Sequence, residues 1–142
     1  MRRYTFGNAS RSHLAECDPL LQSVIIRALM RSYVDFAVLE GYRNEEKQNA
    51  AYDRGASKIQ WPDGRHNQFP SQAVDLSPSP QDWSNLPKTI DRFYLLAGAV
   101  LAASEELGIP LRWGGDWDGD RSLSDQTFDD LGHFELIPTR EA

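Results

Sequence analysis

From Lys88 to Leu107 the chain carries its longest amphipathic run. Ile90, Phe93, Ala97, Val100, Leu101 and Leu107 recur at helical spacing, and Gly108 and Pro110 end it. A helix of that length is about 30 Å long and needs an apolar surface to cover its stripe. Two further helices are expected. In the first, Asp18 caps and Pro19 takes the first helical position, followed by Leu20, Leu21, Val24, Ile25, Ala28 and Leu29. The second runs from about Asn44 to Arg54, with Asn44 as cap, Glu45 and Glu46 at its positive end and Gly55 as stop.

The remaining apolar segments are short and read as strands: Val34 to Glu40, about Gln72 to Leu76, Leu111 to Trp113, and about His133 to Ile137. Between them, Ala56 to Ser71 is polar and irregular, and Ser77 to Pro87 is a Pro/Ser-rich connection around Trp83. Few strands without regular βαβ alternation predict an α+β fold, a small antiparallel sheet flanked by helices. The 142 residues suit one domain, 1–142.

The formal net charge of −6 argues against nucleic acid, which needs a basic face. It leaves a neutral or zwitterionic peptide as partner. No window approaches 18 apolar residues, so no membrane insertion is expected. Met1-Arg2-Arg3-Tyr4-Thr5 has no apolar run behind its arginines and does not read as a signal peptide. The expected place of synthesis is the cytoplasm. The single cysteine, Cys17, cannot form an internal disulfide. It is expected as a small, partly buried residue before a helix. Glu16 and Asp18 beside it would raise its thiol pKa and disfavour a nucleophile.

Two of the three histidines stand beside acidic residues in His66-Asn67-Gln68-Phe69-Pro70-Ser71-Gln72-Ala73-Val74-Asp75 and Asp129-Asp130-Leu131-Gly132-His133-Phe134-Glu135. Zinc favours imidazole and carboxylate, and three protein ligands with water in the fourth place is its catalytic pattern. His66, Asp75 and His133 are therefore candidate ligands. By spacing alone the signal is weak, and the stronger reading has His66 as a surface-loop residue and His133 as a hydrogen-bonded strand histidine. Asp130, three residues before His133, is the candidate general base and acid; Asp129 would point the other way in an extended segment. Glu135 leaves the strand on the same side as His133. It could orient that ligand or serve as an alternative acid/base, or simply face solvent. Arg43 could stabilise an oxyanion or grip a substrate carboxylate, or pair with Glu45 or Glu46.

These motifs resemble the LAS-type zinc peptidases, which include D-alanyl-D-alanine carboxypeptidases and phage L-alanyl-D-glutamate endopeptidases. The family's Gly-x-Arg, His…Ala-x-Asp and Asp/Glu-x-x-His read here as Gly41-Tyr42-Arg43, His66…Ala73-Val74-Asp75 and Asp130-Leu131-Gly132-His133. Leu111-Arg112-Trp113-Gly114-Gly115-Asp116-Trp117 also resembles the stretch before the catalytic motif in phage members. The resemblance spans about residues 5–137. It implies a Hedgehog/DD-peptidase-like fold and one Zn2+ held by His66, Asp75 and His133. It implies Asp130 as general base and acid, and Arg43 polarising the scissile carbonyl.

The activity it implies is hydrolysis of peptidoglycan stem peptides, foremost as an L-alanyl-D-glutamate endopeptidase and phage endolysin. A D-alanyl-D-alanine carboxypeptidase is the alternative, and a non-catalytic wall-binding domain a distant one. The implied protein is a monomer without a separate wall-binding domain, reaching the wall through another factor such as a holin. One departure is plain. Eight residues separate His66 from Asp75, where many members have six, and Arg65 replaces a small residue before the histidine. The loop Asp116-Trp117-Asp118-Gly119-Asp120 has alternating carboxylates but no Glu at the distance a calcium loop needs. A solvated or substrate-facing loop is the stronger expectation than Ca2+. Trp113 and Trp117 are expected in the cleft or in the core.

Overall fold

The computed structural model describes residues 4–84, 86–116 and 130–138. Among them the elements run α1 (Asn8–Ala15), α2 (Pro19–Arg31), β1 (Phe36–Glu40), α3 (Glu45–Asp53), a 3-10 turn (Arg65–Asn67), β2 (Ala73–Pro78), α4 (Pro87–Leu107), β3 (Leu111–Trp113) and β4 (His133–Leu136). The strands form one antiparallel sheet in the order β1-β2-β4-β3. The fold is α+β.

Local signals account for most boundaries. Asp18 caps α2 by accepting from the Leu20 amide at 2.9 Å, with Pro19 at the first position. Asn44 caps α3 through the Lys47 amide at 2.9 Å. Gly108, left-handed at φ 68°, ends α4. The buried stripe of α2 is Leu21, Val24, Ile25, Ala28 and Leu29; Leu20 falls outside it, on the surface. Helix α1 was not expected. Only Leu14 and Ser10 of its eight residues are buried, and no side chain caps it. It is held by tertiary contact instead: the Ser10 hydroxyl accepts from the Val38 amide at 3.0 Å, which ties α1 to β1.

Register divides the sheet into two faces. Directly opposed residues share a face, so the pairs Val38–Leu76, Val74–Phe134, Trp113–Phe134 and Leu111–Leu136 lie on one side. That side is the core, covered by α4 against β2 and β3 and by α2 against α4. Phe93 and Phe134 are almost wholly buried there; each contributes about 1.5–3 kcal/mol relative to exposure. The other side carries Glu40, Asp75 and His133 in one row, and Ala73, Glu135 and Arg112 in the next. A register shift between Val38 and Glu40 turns Glu40 out of the core series onto this polar side, as bulges do.

Candidate metal centre

Two neighbouring strands and one turn assemble the site. Antiparallel pairing sets Asp75 of β2 opposite His133 of β4. Gly132 makes that register attainable. Its carbonyl accepts from the Leu76 amide at 2.8 Å, and a Cβ there would lie 2.1 Å from the Leu76 carbonyl oxygen. His66 comes from the 3-10 turn, anchored because the Arg43 amide donates to the His66 carbonyl at 2.7 Å and the Gln72 amide to that of Arg65 at 3.1 Å. The turn was read as irregular loop, yet His66 is buried, at 4% exposure.

Hydrogen bonds fix which imidazole nitrogens face inward. His66 Nδ1 donates to the Gly41 carbonyl at 2.6 Å, which leaves Nε2 facing Asp75 Oδ1 at 3.2 Å. His133 Nε2 donates to Glu135 Oε1 at 2.9 Å, which leaves Nδ1 facing the same Oδ1 at 3.1 Å. Gly41 has a steric reason to be glycine: a Cβ would lie 2.4 Å from the His13 carbonyl oxygen and 2.9 Å from Cys17 Sγ. One donor atom from each of His66, Asp75 and His133 lies within 4.8 Å of the other two. Two nitrogen lone pairs aimed at one carboxylate oxygen repel unless positive charge lies among them. Protons or a divalent cation would supply it, and an N,N,O donor set suits zinc. The residues therefore fit a metal ion.

The model describing phage L-alanyl-D-glutamate peptidases matches residues 2–137. The chain belongs to that family. It is 32% identical over 141 residues to the L-alanyl-D-glutamate peptidase of Escherichia phage T5, covering 94% of this chain and 98% of that one. The crystal structure of the Serratia marcescens L-Ala D-Glu endopeptidase ChiX is also similar. It has a TM-score of 0.74 and 32% identity, covering 96% of this chain and 90% of that one.

Electrostatics in this phage L-alanyl-D-glutamate peptidase family member centre on two carboxylates. Burial opposes the charge on Asp75, but His66 and His133 outweigh it and hold the carboxyl well below its usual range. Burial likewise opposes a charge on His133; Asp75 and Glu135 prevail and raise it from 6.5 to about 9 in the metal-free protein. Glu135 is held below its ordinary value: burial works against the charge, and His133, Arg65 and Arg112 outweigh it.

Arg43 sits beside the centre with each of its three nitrogens engaged once. Nε meets Glu40 Oε1 at 2.6 Å, Nη1 donates to Gln48 Oε1 at 3.1 Å, and Nη2 to Asp75 Oδ2 at 3.3 Å. Its acidic partners are Glu40 and Asp75, not Glu45 or Glu46. Glu135 is buried, not solvent-facing, and its Oε2 lies 3.6 Å from Arg65 Nε and 3.4 Å from Arg112 Nη1. Asp130 is partly buried and opens the turn into β4. Its backbone packs so closely on Gly114 that a Cβ there would lie 2.0 Å from the Asp130 carbonyl oxygen.

Two polar residues escaped sequence reasoning. Gln48, almost fully buried on α3, accepts from Arg43 and Asn67 and donates to Ser57 and the Ile59 carbonyl. Asn67 also donates to the Arg43 carbonyl at 3.1 Å. Their one available signal was position, one helical turn after the Asn44 cap and one residue after His66. Trp113 belongs to the core, stacked on Phe134 with Nε1 donating to the Leu131 carbonyl at 2.8 Å. Cys17 is fully buried rather than partly so. Burial first, then Glu16 and Asp18, push its thiol up to about 12, too high for a nucleophile. Asp129, Trp117 and the remainder of the acidic loop beyond Asp116 lie outside the described residues.

Proposed function

We propose that this chain is a zinc-dependent endopeptidase that hydrolyses the L-alanyl-D-glutamate bond of peptidoglycan stem peptides. The observation that carries the reading is the convergence of His66, Asp75 and His133 within 4.8 Å, in a chain matched from residue 2 to 137 by this peptidase family. His66 Nε2, Asp75 Oδ1 and His133 Nδ1 would be the ligands. A zinc ion held by them would supply Lewis acidity, acidifying water and polarising a carbonyl.

The protein's own groups do the rest. Gly41 and Glu135 fix the imidazole orientations through their hydrogen bonds at 2.6 and 2.9 Å. Glu135 thereby acts by positioning: its near oxygen is taken by His133 and its far one by two guanidiniums. Arg43 holds Asp75 through Oδ2 and brings a fixed positive charge beside the reacting carbonyl, where it stabilises developing oxyanion charge. Asp130, on the turn that leads into His133, takes the proton of the attacking water and returns it to the leaving amine.

We read the activity as serving host lysis, in keeping with a family described from phages. Among the described residues no helix is long and apolar enough to cross a membrane, and passage to the wall falls to another factor such as a holin. A single chain supplies all three donors, so one protomer is sufficient to build the site.

Digestion of defined muropeptides tests the reading. New amino termini on D-glutamate, lost with a chelator and restored by zinc, are expected. Release of D-alanine instead would overturn it in favour of a carboxypeptidase.

A further inference from the structure

Two aromatic rings stand beside the metal centre, outside the core. Phe69 is 70% exposed. It meets the partly buried Tyr42 edge to face, with centroids 5.4 Å apart and planes at 88°. The backbone holds both against the site. Gly41 and Arg43, which flank Tyr42, each bond to His66: the Gly41 carbonyl accepts from Nδ1 at 2.6 Å, and the Arg43 amide donates to the His66 carbonyl at 2.7 Å. Phe69 follows His66 by three residues. Its segment is closed at the far end by the buried Ser71, whose amide donates to the Glu16 carbonyl at 2.8 Å and whose carbonyl accepts from the Asp18 amide at 2.9 Å.

Single exposed rings are ordinary on a protein surface. A fixed pair next to a reacting centre is a contact surface for whatever lies in the cleft. Among the described residues the Tyr42 hydroxyl has no hydrogen-bond partner, so it can donate and accept. An apolar ring face with a polar tip at its edge suits a ligand of the same two-sided kind. A sugar is one, with a face of C–H groups and a rim of hydroxyls. Position adds a direction. Glu135 and Arg112 belong to β4 and β3, whereas Tyr42 follows β1, at the opposite edge of the sheet.

The substrate in the proposed reading is two-sided as well. Its ionised groups all lie on the leaving side of the scissile bond. The acyl side holds only the alanyl methyl and, through a lactyl link, the uncharged muramyl sugar. Resting on that reading, we infer that Tyr42 and Phe69 form a subsite for the muramyl sugar. The C–H face of the sugar lies on Phe69, and a hydroxyl or acetamido group bonds the Tyr42 hydroxyl. Lengths agree: three residues place Phe69 within about 11 Å of His66 along the chain, and an alanyl-lactyl link spans about 7 Å.

The test uses two stem peptides with the same alanyl-glutamyl bond, one carrying the whole muramyl sugar and one carrying the lactyl group alone. The zinc-loaded full chain is compared with its Phe69→Ala, Phe69→Tyr and Tyr33→Ala variants; Tyr33, 78% exposed, precedes the other end of β1. For the unsubstituted chain, kcat/KM should favour the muramyl peptide about 5- to 30-fold, the size of covering part of one exposed ring, mostly through KM. Phe69→Ala should bring that ratio close to one, with zinc still at one per chain. Phe69→Tyr, which keeps a ring, and Tyr33→Ala should preserve it. Equal turnover of the two peptides by the unsubstituted chain would overturn the inference and leave the endopeptidase reading standing. So would a Phe69→Ala variant that slows both peptides in the same proportion, since a ring that only braces the loop would act that way. Turnover of neither peptide would overturn both readings.

Discussion

Replacing Glu135 should weaken metal binding without touching a ligand atom. In the structure its Oε1 accepts the His133 Nε2 proton at 2.9 Å, and its Oε2 offsets Arg65 and Arg112. Glu135→Ala removes the Oε1 acceptor from that nitrogen and the carboxylate that faces the two guanidiniums. A hydrogen bond to a charged group contributes about 1.5–3 kcal/mol, which corresponds to about 10- to 150-fold in zinc affinity. Losses of partners behind a metal ligand generally cost about 10–100-fold, so the two scales agree. Glu135→Gln keeps an oxygen that can accept from Nε2 and loses only the charge, so it should fall between. Competition with a chromophoric chelator gives the affinities, and circular dichroism checks the fold of each variant. A folded Glu135→Ala protein with zinc affinity within about threefold of the unsubstituted chain would refute the reasoning. So would Gln and Ala variants of equal affinity.

Three further outcomes follow from the same geometry. Asp130→Ala should retain stoichiometric zinc and lose about 10²- to 10⁴-fold in kcat; residual activity near that of the unsubstituted chain would remove Asp130 from the mechanism. In the metal-free protein His133 titrates near 9, above its unfolded 6.5. Its protonation therefore contributes stability fully present below about pH 6.5 and lost as pH rises through about 9, whereas zinc must displace that proton. Calorimetry in buffers of differing ionisation enthalpy should show about one proton released per zinc near pH 7.5, with affinity falling as pH falls. Gly132→Ala would press a Cβ to within 2.1 Å of the Leu76 carbonyl oxygen. The cost should be about 1–3 kcal/mol, read as a lowered thermal midpoint and weakened zinc binding together.

The sequence and the structure agree best where local chemistry decides. Asp18-Pro19 and Asn44 announce helix starts because a side-chain oxygen can meet a free amide there, and both do. Alternation in β2 and β4 places Asp75 and His133 on the side away from Val74 and Phe134. Short-range rules fail where a contact between distant segments decides. Helix α1 has one strong apolar residue and no cap, and depends on β1. His66 looks like a loop residue until the Gly41 carbonyl, 25 positions earlier, is brought onto its Nδ1. The link from Arg112 to Glu135 exists only once β3 pairs with β4, and Gln48 acquires its four partners only when three loops close over α3. Glu40 would be assigned to the core by parity with Phe36 and Val38; a register shift turns it to the site.

The central claim is a single divalent ion shared by three side chains. A crystal structure of the zinc-loaded protein, with anomalous data collected on both sides of the zinc absorption edge, tests it. One peak is expected, about 2.0–2.2 Å from His66 Nε2, an Asp75 carboxylate oxygen and His133 Nδ1. A zinc-saturated crystal with no peak among these atoms, or with its peak on other side chains, would contradict it.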